Sequence, residues 1–103
     1  MPSGILGRSN LSANTNTTLY TVPATKLTTL SVNFCNRNNN STVVRLAVAD
    51  IGTPTDSDWL IFDVVVLGSS VLERTGLVLD ASKRLIAYSS LSNVSVIAYG
   101  YEE

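Results

Sequence analysis

An all-β fold, arranged as a single β-sandwich, is the structure that this sequence predicts. Residues branched at Cβ are abundant, with 12 Val, 11 Thr and 5 Ile among 103 residues, and such side chains suit a pleated sheet better than a helix. The 13 Ser and 9 Asn residues compete with helix by bonding to nearby backbone groups. Apolar and polar residues alternate along several short segments, which is the period of a strand. A chain of this length fits one domain.

Residues 1–17 are predicted to be an extended N-terminal arm that precedes a sandwich domain at residues 18–103. The arm has two glycines, no sustained period, and three large aliphatic side chains in a polar setting: Ile5, Leu6 and Leu11. Two interpretations stay open, because the arm could contact a neighbouring subunit or fold back onto its own sandwich. The first interpretation makes Ile5, Leu6 and Leu11 interface residues.

About seven antiparallel strands are predicted in the sandwich domain, separated by turns rich in Asn, Gly, Pro and Asp. They cover residues 18–22, 27–36, 42–49, 59–67, 71–79, 84–89 and 94–101. The second and third strands make the clearest hairpin, and the most apolar strand, the fourth, is predicted to be central and covered on both faces for much of its length. Gly76 is predicted to bend or bulge the fifth strand. The pattern is typical of a jelly-roll or immunoglobulin-like sandwich.

Alternation within the strands predicts which side chains fill the space between the two sheets. The expected core residues are Val32, Phe34, Val44, Leu46, Leu60, Phe62, Val96 and Ala98. In the last strand, Tyr99 and Tyr101 lie on the face opposite to Ala98. One prediction, which we favour, is that they cover one sheet face or pack at a subunit interface. The other is that they stack on sugars together with Trp59.

Composition argues against several classes of function. Seven Lys and Arg against eight Asp and Glu give a net charge of -1, so the chain lacks the basic footprint of a non-specific nucleic-acid binder. It has no His, which is the commonest general base and metal ligand. Its single Cys, Cys35, lies on a strand with alternating apolar and polar residues. We therefore expect an inert core or interface thiol there and not a nucleophile. The longest apolar runs, such as residues 64–67, are too short to span a membrane. We expect no enzyme activity, cofactor, metal, nucleic-acid partner or membrane partner.

Acidic residues offer two weaker alternatives. Asp56 and Asp58 are close enough in sequence to suggest a glycosidase pair, and with Asp50 and Asp63 they could surround Ca²⁺. No apolar pocket is indicated that would raise one carboxyl pKa, and the spacing does not match an EF-hand loop. Solvated turn residues are the preferred interpretation.

Four segments resemble one family of proteins. They are Thr18-Leu-Tyr-Thr-Val-Pro-Ala-Thr25, Leu30-Ser-Val-Asn-Phe-Cys-Asn-Arg37, Val43-Val-Arg-Leu-Ala-Val48 and Val94-Ser-Val-Ile-Ala-Tyr-Gly100. Together with an N-terminal Leu-Gly segment, they are similar to the small β-sandwich structural proteins of tailed bacteriophages, cyanophages among them. The resemblance covers about residues 4 to 101. Members often have Gly after Pro-Ala, where this chain has Thr25.

The resemblance implies a non-enzymatic virion component, assembled in the host cytoplasm and attached to the major capsid protein or another virion protein. Capsid decoration or cement is the first expectation, and a tail, neck, baseplate or fibre-associated module is the second. A carbohydrate-binding module that contacts host glycans is an alternative from another class. The family also implies a homo-oligomer, expected to be a trimer, with Ile5, Leu6, Leu11, Tyr99 and Tyr101 as candidate interface residues.

Overall fold

The computed structural model describes residues 3–103, in which all regular structure is β-strand. The all-β prediction is therefore confirmed, with eight strands where the sequence predicted about seven. The strands are β1 (Ser3–Leu11), β2 (Thr17–Thr21), β3 (Thr28–Asn36), β4 (Thr42–Ala49), β5 (Trp59–Val66), β6 (Val71–Leu79), β7 (Arg84–Ser89) and β8 (Val94–Glu102).

The strands form two antiparallel sheets of four. One sheet, called sheet A, has the order β1-β8-β3-β6, and the other, sheet B, has the order β2-β7-β4-β5. Only β4 and β5 follow each other within one sheet, while every other connection along the chain leads from one sheet to the other. One cluster of buried apolar side chains receives members from all eight strands, so the two sheets enclose a common core.

The predicted division between an arm and a sandwich is wrong for residues 3–11. These residues form β1, which pairs with β8 from Ser3 opposite Tyr101 to Leu11 opposite Val94. The structure thus agrees with the second interpretation, in which the segment returns to its own sandwich. The backbone hydrogen bonds to β8 order a segment that lacks a regular apolar period. Residues 1–2 of the predicted arm lie outside the described residues.

The predicted hairpin between residues 27–36 and 42–49 is also wrong. Both strands exist, but β3 belongs to sheet A and β4 to sheet B. The connection between them is anchored by the buried side chain of Asn36, whose Nδ2 donates to the carbonyl oxygens of Asn40 (2.9 Å) and Val66 (3.1 Å). Alternation shows which side chains of a strand point inward, but it does not show which sheet the strand joins.

Six of the eight predicted core residues are fully buried: Val32, Phe34, Val44, Leu46, Val96 and Ala98. The prediction is wrong for Leu60 and Phe62, which are exposed, and Ile61 and Val66 take their place in the core. The physical reason is that β5 lies at the edge of sheet B and not at its centre. Two register shifts against β4 also change which side chains point inward along β5.

All four edge strands are bulged, and the central pairs are not. Register shifts interrupt the pairing of β1, β2, β5 and β6 with their single neighbours, while β3–β8 and β4–β7 pair without interruption. In β6 the shift falls at Gly76, whose φ is +73°, as the sequence predicted. Bulges twist an edge and interrupt its free backbone groups, which discourages pairing with another strand.

A hydrogen-bonded group joins the two sheets at one end of the core. The Tyr20 hydroxyl on β2 donates to the carboxylate of Glu102 on β8, and the Thr28 hydroxyl on β3 donates to the same carboxylate oxygen at 3.0 Å. Glu102 is only 2% exposed. Burial, followed by the hydrogen bond to Glu102, raises the pKa of Tyr20 to about 12.

Candidate interaction surfaces

Three of the five predicted interface residues meet on the outer face of sheet A. Ile5 on β1 is directly opposite Tyr99 on β8, and Tyr101 follows two residues later on the same face. Ile5 is 56% exposed and Tyr101 is 45% exposed. The register adds Arg8 opposite Ile97. We call the surface formed by these residues the β1–β8 face; it consists of Ile5, Arg8, Asn10, Ser95, Ile97, Tyr99 and Tyr101.

The Tyr99 ring is fixed on this face by a polar contact. Its hydroxyl donates a hydrogen bond to the carboxylate of Glu73 on β6, so the side chain spans the intervening strand β3. The same hydrogen bond raises the pKa of Tyr99 above its ordinary value. This hydrogen bond orients the Tyr99 ring on the outer face of sheet A.

The other two predicted interface residues lie elsewhere. Leu11 is 1% exposed and belongs to the core, which contradicts its assignment to an interface. Leu6 is partly buried and packs against the same core. Once β1 pairs with β8, these side chains reach the space between the sheets, so they contribute to the fold of the chain itself.

A second exposed surface follows β5 and was not predicted as a binding surface. We call it the β5 edge, and it consists of Leu60, Phe62, Val64, Val65 and Leu67. Phe62 is 53% exposed, Val65 is 58% exposed and Leu67 is 63% exposed. Soluble proteins seldom leave such a row of large apolar side chains on an edge strand without a partner.

An aromatic cluster covers the neighbouring part of the outer face of sheet B. The Arg45 guanidinium lies 4.2 Å from the centre of the Phe62 ring and 4.5 Å from that of Tyr88. Its Nε donates to Asp63 at 2.6 Å, and that hydrogen bond raises the pKa of Arg45. Trp59 packs edge-on against Phe62, with ring centres 5.2 Å apart. Arg45 thus has ring and carboxylate partners within the chain.

Trp59 and the two tyrosines do not share a surface. Trp59 is on sheet B, opposite Ala47, whereas Tyr99 and Tyr101 are on the outer face of sheet A. The core separates the two outer faces. The prediction that these three aromatic rings form one sugar-binding site is therefore wrong.

Three of the four acidic residues considered for catalysis or calcium have local partners, and the fourth, Asp56, is exposed in the loop before β5. Asp50 pairs with Lys83 at 3.0 Å, Asp63 pairs with Arg45, and Asp58 accepts the backbone N–H of Thr55. No group of three or more Cys, Asp or Glu residues suited to a metal ion occurs within residues 3–103. Cys35 lies on the outer side of β3, partly exposed, opposite Ser95.

Arg8 and the β5 edge are the features that sequence reasoning missed. A signal for Arg8 was present, since it is a cation in a segment otherwise made of small and aliphatic residues. The β5 edge had no signal, because a continuous apolar run fits a central strand as well as an exposed edge. Within residues 3–103 the structure contains no helix that could span a membrane.

Comparison of the chain with protein-family models, with curated protein sequences and with solved structures finds no match.

Proposed function

We propose that this protein is a non-enzymatic structural component of a tailed-phage virion, first of all a capsid decoration or cement protein. The observation that carries the proposal is the presence of two separate exposed surfaces with large apolar side chains on one small domain. The β1–β8 face lies on sheet A, and the β5 edge lies along sheet B. Two such surfaces suit a subunit that contacts copies of itself and also a different protein.

The strand order supports the proposal at the level of the fold. We assign the arrangement β1-β8-β3-β6 over β2-β7-β4-β5 to the jelly roll, an eight-stranded double sheet that occurs in viral capsid proteins and in lectins. Fold alone does not determine function. The sequence resemblance to phage β-sandwich proteins favours the capsid use over the lectin use.

We assign the β5 edge to contacts between copies in a homo-oligomer, expected to be a trimer. Interfaces between copies of one chain are more apolar than transient interfaces, and the β5 edge has five large apolar side chains. The bulges of β5 favour contact through side chains over an added strand. A tail or neck position uses the same two surfaces and is the alternative within the virion.

The test is quantitative mass spectrometry of gradient-purified phage particles from the source that encodes this chain. The proposal expects several copies per particle that remain after washing at high salt. Gold-labelled antibodies then distinguish shell from tail. Absence of the chain from purified particles, while it is abundant in the surrounding lysate, would overturn the proposal.

A further inference from the structure

A groove on the β1–β8 face presents hydrogen-bond donors to its surroundings. It has a volume of about 410 Å³ and is lined by Arg8, Ser9, Asn10, Ser95, Val96 and Ile97. These are three successive pairs of the β1–β8 ladder. Because Val96 is buried in the core, the register places Arg8, Asn10, Ser95 and Ile97 on the outer side of the sheet.

Arg37, just beyond β3, determines how the polar groups of the groove are oriented. Its Nη2 donates to Asn10 Oδ1 at 2.6 Å, and its Nε donates to Ser95 Oγ at 2.9 Å. A guanidinium group can only donate, so the Asn10 oxygen must face Arg37 and the Asn10 Nδ2 must face away. The Ser95 oxygen is likewise used as an acceptor, which leaves its O–H free to donate.

Positive charge at the groove has no carboxylate partner within residues 3–103. The ion pairs there join Arg45 to Asp63 and Lys83 to Asp50 and Asp80. Arg37 bonds only to neutral side chains, and the Arg8 guanidinium has neither an ion pair nor a side-chain hydrogen bond in that range. The groove therefore combines an unpaired planar cation with two oriented neutral donors, an arrangement that suits an anionic oxygen ligand.

We propose that this groove binds the carboxylate of an Asp or Glu side chain on a partner protein. The guanidinium fork of Arg8 matches a carboxylate in shape and charge. Ile97 adds an apolar side chain to the groove, and Ile5, Tyr99 and Tyr101 continue the same outer face along β1 and β8. Tyr and Arg are enriched at protein interfaces. This inference rests on the proposed function, since it names the chemistry by which the β1–β8 face would hold a second virion protein.

The experiment uses the full ¹⁵N-labelled chain titrated with acetyl-hexaglutamate amide, with acetyl-hexaglutamine amide as the uncharged control. The inference expects saturable amide shift changes at Arg8, Asn10, Ser95 and Ile97 with the glutamate peptide only. Tighter binding of D-glucuronate than of the glutamate peptide at these amides would assign the groove to acidic sugars and overturn the inference. Equal binding of inorganic sulfate would reveal an unselective anion site and would also overturn it.

Two arginine variants make the result specific. Arg8→Gln should weaken binding of the glutamate peptide about tenfold or more, because a charge-assisted hydrogen bond is lost. Arg74→Gln removes the same charge from another exposed position in sheet A and should leave the affinity unchanged. If both variants weakened peptide binding equally, net charge alone would govern the affinity. That result would contradict a specific site at Arg8.

The experiments distinguish a wrong assignment of the groove from a wrong proposed function. If the chain is present in purified particles but the glutamate peptide does not bind, the groove assignment fails and the virion role stands. If the chain is absent from particles but the peptide binds through Arg8, the virion role fails and the groove remains an acidic-residue site.

Discussion

The β1–β8 face and the β5 edge both expose large apolar side chains, but the polar groups beside them differ. On the β1–β8 face, Arg8 has no carboxylate partner within the described residues, and Asn10 and Ser95 have free donors. Beside the β5 edge, Arg45 is already bound to Asp63 and lies against the rings of Phe62 and Tyr88. The β1–β8 face thus has hydrogen-bond donors that are not used within the chain, whereas the β5 edge presents mainly apolar side chains.

The two surfaces suit different kinds of intermolecular contact. A mainly apolar surface gains from burial without needing a matching pattern of charges, which suits a lasting contact between identical copies. A surface with oriented donors is selective, because a partner without acceptors would leave those donors unpaired. Aromatic content alone does not separate the two surfaces, since both contain aromatic rings.

The largest expected effect separates the shared core from both surfaces. Phe34 is fully buried, and Phe62 is more than half exposed. Phe34→Ala should lower the free energy of unfolding by about 3–5 kcal/mol, since it removes buried area and leaves a cavity. Phe62→Ala should lower it by about 1 kcal/mol or less in the dissociated chain, where the ring is exposed. Urea unfolding of both variants measures the two values, and equal losses would contradict the assigned faces of β3 and β5.

A substitution on the β5 edge should break the oligomer and leave the fold intact. Val65→Asp places a charge on an exposed strand position, so the subunit pays no burial penalty, whereas an apolar interface would have to bury that charge. Light scattering should give a mass near three times 11.0 kDa for the parent chain and a mass near one chain for the variant.

The matched control is Val78→Asp, at an equally exposed valine on sheet A. It should retain the parent mass. A parent chain that is already monomeric at micromolar concentration would refute the oligomer. Dissociation by Val78→Asp and not by Val65→Asp would move the contact between copies to the other sheet.

The polar contact between the sheets predicts how stability depends on pH. Tyr20 keeps its proton in the folded state up to a pKa of about 12, against 10.0 for an ordinary tyrosine. Its contribution to stability is complete below pH 10 and is lost as the pH rises from 10 to 12. Tyr20→Phe should therefore lose less stability than the parent chain across this interval. Parallel pH profiles of urea unfolding would contradict the burial of Tyr20 together with its hydrogen bond to Glu102, the two causes of the raised pKa.

The smallest expected effect comes from a turn outside both surfaces, where a substitution should change the free energy of unfolding without changing binding. Thr25 has a φ of +72°, in a turn where Lys26 N–H donates to the carbonyl of Pro23 at 3.2 Å. Thr25→Gly should raise the free energy of unfolding by about 0.5–1 kcal/mol, because glycine tolerates this conformation. Ala24→Gly, as the control, should lower it. Oligomer mass and particle binding should not change in either variant.

Sequence reasoning succeeded where the pattern was local and failed where long-range pairing decided the outcome. Alternation identified Val32, Phe34 and Val96 as core residues, and the bulge at Gly76 followed from glycine chemistry. The order of strands could not be predicted, because neither the polar turn after Asn36 nor the apolar run of β5 specifies a sheet. Position in the sheet then determined which residues of β5 are exposed.

The same distinction between local pattern and long-range pairing applies to the candidate surfaces. Tyr99 and Tyr101 were predictable as one face, because residues two apart in a strand share a side. Their proximity to Ile5 follows from the pairing of β1 with β8, which no local pattern in residues 3–11 reveals. The orientation of Asn10 and Ser95 depends on Arg37, far away in sequence, so the groove could be found only in three dimensions.

Hydroxyl-radical footprinting of the chain in three states tests the assignment of the two surfaces most directly. The states are the Val65→Asp monomer, the parent oligomer in solution, and the parent oligomer bound to phage particles that lack the protein. We predict that Phe62 and Leu67 lose reactivity when the oligomer forms, and that Ile5 and Tyr101 lose reactivity only on the particle. Unchanged reactivity of Ile5 and Tyr101 on the particle, with new protection at Phe62 and Leu67 in that step, would contradict the account.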